Sequence, residues 1–197
     1  QCELLYNISK NDNKISKFKK EIKYVPGLYK IFDEIIVNAV DHISRLLHIR
    51  KKSEVEHYVT TIKVIIEDNK ISVYNDGDGI DLQKMDDGKY PPQLIFGELL
   101  SSTNYNDKEV KTIGGKNGYG AKLTNIFSGE FCIETVDSKT GLKFRQVYYD
   151  NMSKMTNPKI TKYEKEPYTK ISFIPDFKRF KLEKLTSDIM NLFEKRV

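Results

Sequence analysis

The segment VPGLYKIFDEIIVNAVDHISRLL, residues 25–47, constrains the fold of this chain more than any other stretch. Leu28, Ile31, Phe32, Ile35, Ile36, Ala39, Val40, Ile43, Leu46 and Leu47 recur at helical spacing and form one broad apolar face. Pro26 and Gly27 mark where the helix begins. A helix with so wide an apolar face needs a second apolar layer to lie on. The chain offers one. VTTIKVIIED and ISVYN read as two strands joined in a hairpin at Asp68–Lys70. EFCIETVDS, GLKFRQVYYD, PKITKYEK and YTKISFIPD read as further antiparallel strands with short turns.

The remaining segments fill in the plan. Residues 1–25 read as a strand, a turn at Asn11–Asn13 and a connecting arm. IRKKSEVEHY is a charged loop, QLIFGELL a short helix and AKLTNIFS another. KLEKLTSDIMNLFEKRV closes the chain as a helix. The expected architecture is an α+β layered domain with one mostly antiparallel sheet. The chain has 197 residues, 39% of them hydrophobic and 31% charged, which suits a globular domain with a real core. No run of 18 apolar residues is present, so no membrane partner is expected. The first residues lack a signal-peptide pattern and an initial Met, which leads us to expect a piece of a longer protein. Cys2 and Cys132 make neither a disulfide framework nor a metal-ligand spacing. The net charge of +5 permits nucleic-acid contact without demanding it.

Three places carry candidate chemistry. On the long helix, Glu34, Asn38, Asp41 and Arg45 fall within a stripe about 60° wide. A solvated polar face is the ordinary reading of such a stripe. Here Ile31 and Val37 flank it on either side, which suggests a covered site. Glu34 and Asn38 stand one turn apart, where a carboxylate and an amide can orient a water and hold Mg²⁺ through oxygen. The second place is YNDGDGI. Asp76 ends a strand and can accept a hydrogen bond from an exocyclic amine, while Gly77 and Gly79 let the backbone turn sharply beside a ligand, ahead of Ile80. A plain turn with its usual Asn, Asp and Gly residues is the competing reading.

The third place is KTIGGKNGYGAKLTNIFS, residues 111–128, at the end of a long loop that opens with SSTN. It fits neither the Walker A pattern nor G-x-G-x-x-G. The physics of anion binding is nevertheless present. Gly114, Gly115, Gly118 and Gly120 expose backbone N–H groups, a helix starts near Tyr119–Ala121, and Lys116 and Lys122 add positive charge.

The order of these pieces resembles the GHKL ATPases, which include DNA gyrase, heat-shock chaperones and histidine kinases. Within that superfamily, VPGLYKIFDEIIVNAVDH, LIFGELLSSTNYND and GGKNGYGAKLTNIFS are similar to the ATPase domain of the eukaryotic type II DNA topoisomerases. The resemblance implies a Bergerat fold: a two-layer α+β sandwich, with helices on one face of the sheet and ATP between the layers. It implies that Glu34 is the general base for the attacking water and that Asn38 binds Mg²⁺, with Asp41 beside it. Asp76, Gly77, Gly79 and Ile80 would receive the adenine. Ser102, Thr103 and Asn104 would contact ribose and phosphate, and Gly115, Lys116, Asn117, Gly118, Tyr119, Gly120, Ala121 and Lys122 would wrap the triphosphate. Residues 1–197 would be one ATPase domain, with the family's N-terminal arm before Gln1 and its transducer domain after Val197. On that reading the segment alone hydrolyses ATP poorly. The resemblance further implies a homodimer closed by ATP, DNA as the partner of the whole enzyme, and a nuclear location. Asp76, His42 and Lys116 depart from the residues common at their positions, which are Asn, Asn and Arg. Another GHKL ATPase and a basic nucleic-acid-binding module without nucleotide are the rival readings.

Overall fold

A computed structural model of the protein describes residues 2–11, 14–50, 56–98 and 119–197. Helix α1 (Pro26–Arg50) runs three residues past Leu47, since nothing in His48–Arg50 breaks it. Leu28, Ile31, Phe32, Ile35, Ile36, Ala39 and Leu46 are buried as the periodicity predicts. Val40 and Leu47 are not: 43% and 48% exposed, they lie at the outer edge of the apolar stripe.

The main sheet is built from β3 (Ile62–Glu67), β4 (Lys70–Asp76), β5 (Ser128–Asp137), β6 (Leu142–Tyr149), β7 (Lys154–Met155), β8 (Lys159–Lys162) and β9 (Tyr168–Pro175). Its order is β3-β4-β9-β5-β6-β7, with β8 also pairing β6, and every pairing is antiparallel. The β3–β4 hairpin turns at Asp68 and Asn69, both at positive φ (48° and 67°), as a tight two-residue turn requires. The last strand, β9, inserts between β4 and β5, so residues distant in sequence become neighbours on one surface.

That surface carries the core. Ile71 and Val73 of β4, Phe131 and Ile133 of β5, Phe144 and Tyr148 of β6, and Ile171 and Phe173 of β9 join one apolar cluster. All four helices among the described residues add to it: α1, α2 (Pro91–Gly97) with Phe96, α3 (Gly120–Ile126) with Ala121, and α4 (Ser187–Arg196) with Ile189 and Phe193. Phe32 stacks on Phe193, ring centroids 3.9 Å apart. The layered α+β sandwich expected from the sequence is therefore the fold observed.

Three boundaries differ from expectation. The arm of residues 14–23 is a strand, β2 (Lys14–Lys23), paired along its whole length with β1 (Cys2–Asn11). Its apolar residues Ile15, Phe18 and Ile22 do not alternate, so the strand is imposed by pairing. Helix α2 starts at Pro91, because prolines are tolerated in a first helical turn. Helix α4 starts only at Ser187, where the Thr186 side chain accepts from the N–H of Ile189 as its cap.

Candidate functional site

Across β4, β9 and β5 the helix-facing surface of the sheet is apolar except at one end. There the register aligns Asn75 of β4, Thr169 of β9 and Thr135 of β5 in a row across three strands. All three are buried, at 4%, 9% and 0% exposure. The Thr135 and Thr169 hydroxyls lie 2.9 Å apart, Thr135 donates to the Tyr168 carbonyl, and the N–H of Ile80 donates to Thr135 Oγ1 at 3.1 Å. A buried polar row beside an apolar floor suits a flat, partly polar ligand.

Above this row runs the polar stripe of α1. Glu34 lies against the first residue of α3: a Cβ built on Gly120 would come within 1.8 Å of Glu34 Oε2. Lys30 Nζ pairs with the other carboxylate oxygen at 2.6 Å. One turn on, Asn38 is exposed, and Asp41 is half-buried. Burial, and then the nearby charge of Glu34, push the Asp41 carboxyl above its usual range. The Glu34 and Asp41 carboxylates on one face of α1, beside the exposed Asn38 amide, make a fitting donor set for a divalent cation. Among the described residues no three His, Cys, Asp or Glu side chains cluster as a complete metal cage. Such a cation would therefore take its other oxygens from water or ligand.

At the far end of the stripe, Arg45 donates to Asp78 Oδ1 at 2.7 Å. His42 Nε2 lies 2.5 Å from the same oxygen, and His42 Nδ1 lies 2.9 Å from Asn75 Nδ2. Burial raises the proton affinity of Asp78, but the hydrogen bond from His42 and the charge of Arg45 outweigh it and hold the carboxyl below its usual range.

Of the glycine-rich segment, Tyr119, Gly120, Ala121 and Lys122 are described; Ser102, Thr103, Asn104, Gly114, Gly115, Lys116, Asn117 and Gly118 lie outside the described residues. Helix α3 is fixed to its neighbours by two buried bonds. Thr124 Oγ1 donates to the Ile31 carbonyl at 2.9 Å, and Asn125 Nδ2 to the Phe96 carbonyl at 2.9 Å. Lys122 is only 7% exposed, with Nζ 5.9 Å from the Tyr119 ring centroid. No carboxylate pairs with it among the described residues, an arrangement that favours an anion nearby.

Asn75 and Asp76 lie on opposite faces of the sheet. In β4, side chains alternate between faces, and Asp76 falls on the face turned away from the helices. Its carboxylate accepts from Thr60 N and Thr61 N, each at 2.8 Å, and from Thr60 Oγ1 at 2.5 Å. Asn75 is the residue that faces α1. The two glycines also approach protein closely. A Cβ on Gly79 (φ +73°) would meet the Val136 carbonyl at 1.8 Å, and one on Gly77 (φ +115°) would meet Val59 at 2.7 Å and His42 at 3.2 Å. Asn75, Thr135 and Thr169 were missed by the sequence reading.

The family profile described as "Histidine kinase-, DNA gyrase B-, and HSP90-like ATPase" matches residues 24–151, from the start of α1 to just beyond β6. The chain belongs to this ATPase family. It is 50% identical over 196 residues to DNA topoisomerase 2 of Acanthamoeba polyphaga mimivirus, a match covering 98% of this chain and 15% of that protein. To DNA topoisomerase 2 of Plasmodium falciparum it is 47% identical, over 99% of this chain and 14% of the relative. The chain thus spans about one seventh of the length of these relatives. Among solved structures, the ATPase region of Saccharomyces cerevisiae topoisomerase II superposes with a TM-score of 0.83 at 42% identity, over 100% of this chain and 50% of that one. The ATPase domain of Thermus thermophilus gyrase B shares the fold, with a TM-score of 0.61. Within the ATPase family, then, the resemblance to the type II topoisomerases read from the three sequence motifs holds across the chain.

Proposed function

We propose that this chain is the ATP-binding and ATP-hydrolysing gate of a type II DNA topoisomerase. The observation that carries the reading is the seating of Glu34 against Gly120, on the same helix whose His42, two turns on, meets Asn75 of the buried row Asn75, Thr169 and Thr135. It supplies a carboxylate at one end of a cleft and a base-sized polar floor at the other. In this reading Glu34 orients and deprotonates the attacking water. Asn38, with Asp41 near it, holds Mg²⁺, which neutralises charge on the phosphates when bound. Lys122 faces the phosphates, and Tyr119, Gly120 and Ala121 carry backbone toward them. Asn75 takes the adenine, in place of Asp76. The remaining contacts proposed for Ser102, Thr103, Asn104 and Gly115 through Gly118 rest on the family resemblance.

Phosphoryl transfer to water needs positioning and charge neutralisation rather than a covalent intermediate, and these residue types supply both. In the whole enzyme, ATP binding would close a homodimer gate on one DNA duplex for passage through a double-strand break in another. Differential affinity of ATP for the closed state would drive that closure. DNA as partner, the homodimer and the nuclear location rest on the family resemblance. A bacterial-type gyrase is the second reading, supported only by likeness of fold.

Thermal unfolding with and without a non-hydrolysable ATP analogue and Mg²⁺ tests the reading. Ligand at 100 times its Kd stabilises by about 2.7 kcal/mol. No shift at millimolar analogue would refute nucleotide binding. ATP-dependent relaxation of supercoiled DNA by the full-length enzyme, lost in Glu34→Gln, tests the larger role.

A further inference from the structure

We propose that His42 is a specificity-determining positioning residue. It holds the Asn75 amide with its carbonyl oxygen toward the nucleotide cleft, so that the site accepts a 6-aminopurine and rejects a 6-oxopurine. The inference rests on the nucleotide reading above and extends it from the ligand class to the basis of its selectivity.

The hydrogen-bond count around Asn75 makes the case. Its Nδ2 has two hydrogens. One reaches the Asp76 carbonyl at 2.7 Å, and the other reaches His42 Nδ1 at 2.9 Å. With both engaged, Oδ1 is the amide's remaining polar atom, and among the described residues nothing donates to it. An amide left this way is a pure acceptor. The 6-amino group of adenine donates to it; the 6-oxo group of hypoxanthine or guanine presents lone pairs against it.

His42 can accept at Nδ1 only if that nitrogen carries no proton, and the next residue along the chain of bonds fixes this. A carboxylate accepts and never donates, so Asp78, 2.5 Å from Nε2, places the ring proton on Nε2. Arg45, on the same Asp78 oxygen, keeps that carboxylate in place. The ring itself has little room to drift. Its side chain is 10% exposed, and Gly77 provides a floor so close that a Cβ there would lie 3.2 Å from His42 Cε1. The sequence Arg45–Asp78–His42–Asn75 thus transmits a fixed tautomer into a fixed amide.

The test is calorimetric binding of ATP and of ITP, each with Mg²⁺, to the wild-type chain, His42→Leu, His42→Asn and Asp78→Asn. The two nucleotides differ in the substituent at purine position 6, amino against oxo, and in the proton that the oxo form carries on N1. Loss of the acceptor in His42→Leu lowers the ATP-over-ITP affinity ratio by about tenfold or more. In His42→Asn the new Oδ1 stands where Nδ1 stood, and the ratio returns to within about threefold of wild type. Asp78→Asn leaves the tautomer unfixed and gives an intermediate ratio. If both affinities fall together in His42→Leu with the ratio unchanged, His42 is a packing residue and the proposal fails. Should His42→Leu not fold, Asp78→Asn decides: an unchanged ratio there overturns the proposal as well. Absence of ATP binding by the wild-type chain refutes the nucleotide reading itself, and this inference with it.

Discussion

Glu34 and Gly120 share a space that admits no extra carbon: a Cβ on the glycine would lie 1.8 Å from Glu34 Oε2 and 2.5 Å from its carboxyl carbon. The clash is with the end of a flexible side chain, so Gly120→Ala leaves the fold within about 1 kcal/mol of wild type, alanine being the better helix former. What it displaces is the carboxylate. A displacement near 1 Å at a catalytic group lowers rate by about 100-fold. We therefore expect Gly120→Ala to melt close to wild type and retain ATP binding while its turnover falls by that order. Turnover equal to wild type would mean that Glu34 has no rate-setting position there.

Glu34→Gln keeps the shape and removes the base. The expected outcome is retained ATP affinity with turnover lowered by about 10²- to 10⁴-fold, the usual range for a general base. The Lys30–Glu34 pair is lost as well, but Lys30 is 63% exposed, so stability changes by less than about 1 kcal/mol. Single-turnover hydrolysis in the full-length enzyme, with binding measured in parallel, separates the two effects. Hydrolysis at the wild-type rate would remove Glu34 from the base role.

Asn75 and Asp76 are adjacent in sequence and opposite in consequence. Asn75→Leu removes the acceptor from the cleft and should weaken ATP about 10- to 100-fold, the equivalent of one lost buried hydrogen bond. Asp76→Ala removes three hydrogen bonds on the other face, from Thr60 and Thr61. It should destabilise the fold by about 1–3 kcal/mol and leave ATP affinity within about threefold. Titration of both variants with ATP, alongside urea unfolding, checks the pair. The reverse pattern would return the adenine contact to Asp76.

The same pair shows which parts of the site can be read from sequence. Glu34, Asn38, Asp41 and Arg45 are legible because a helix fixes their common face locally, by rise and turn alone. At the end of β4, both Asn75 and Asp76 are polar, and nothing within YNDGDGI states which one faces α1. That follows from the alternation set by Ile71 and Val73 against Phe173 and Ile171, a pairing between strands about 100 residues apart in sequence. Thr135 and Thr169 are hidden for the same reason, as ordinary strand residues until β9 is placed between β4 and β5. The glycines illustrate a different limit. Sequence shows that Gly77 and Gly79 permit a close approach, but only the fold shows that Val59, His42 and Val136 are the groups that approach.

Acid stability follows from the two aspartates flanking Gly77. At Asp76 burial raises proton affinity, but the Thr60 hydroxyl and the Thr61 and Thr60 amides override it and hold the carboxyl below its usual range. Asp78 is held down in the same direction by His42 and Arg45. A carboxyl whose folded value lies below its unfolded value binds fewer protons when folded. Its contribution to stability is fully present above the unfolded value, about 3.9 for aspartate, and is lost as pH falls through the folded value. Wild-type stability should therefore decline with a steeper slope below about pH 4 than that of Asp76→Asn or Asp78→Asn. The two variants are less stable at pH 7, and the gap to wild type narrows as the pH falls. Urea unfolding between pH 7 and pH 3 reads the slopes directly, and parallel curves for wild type and both variants would show that neither carboxylate is preferentially ionised in the fold.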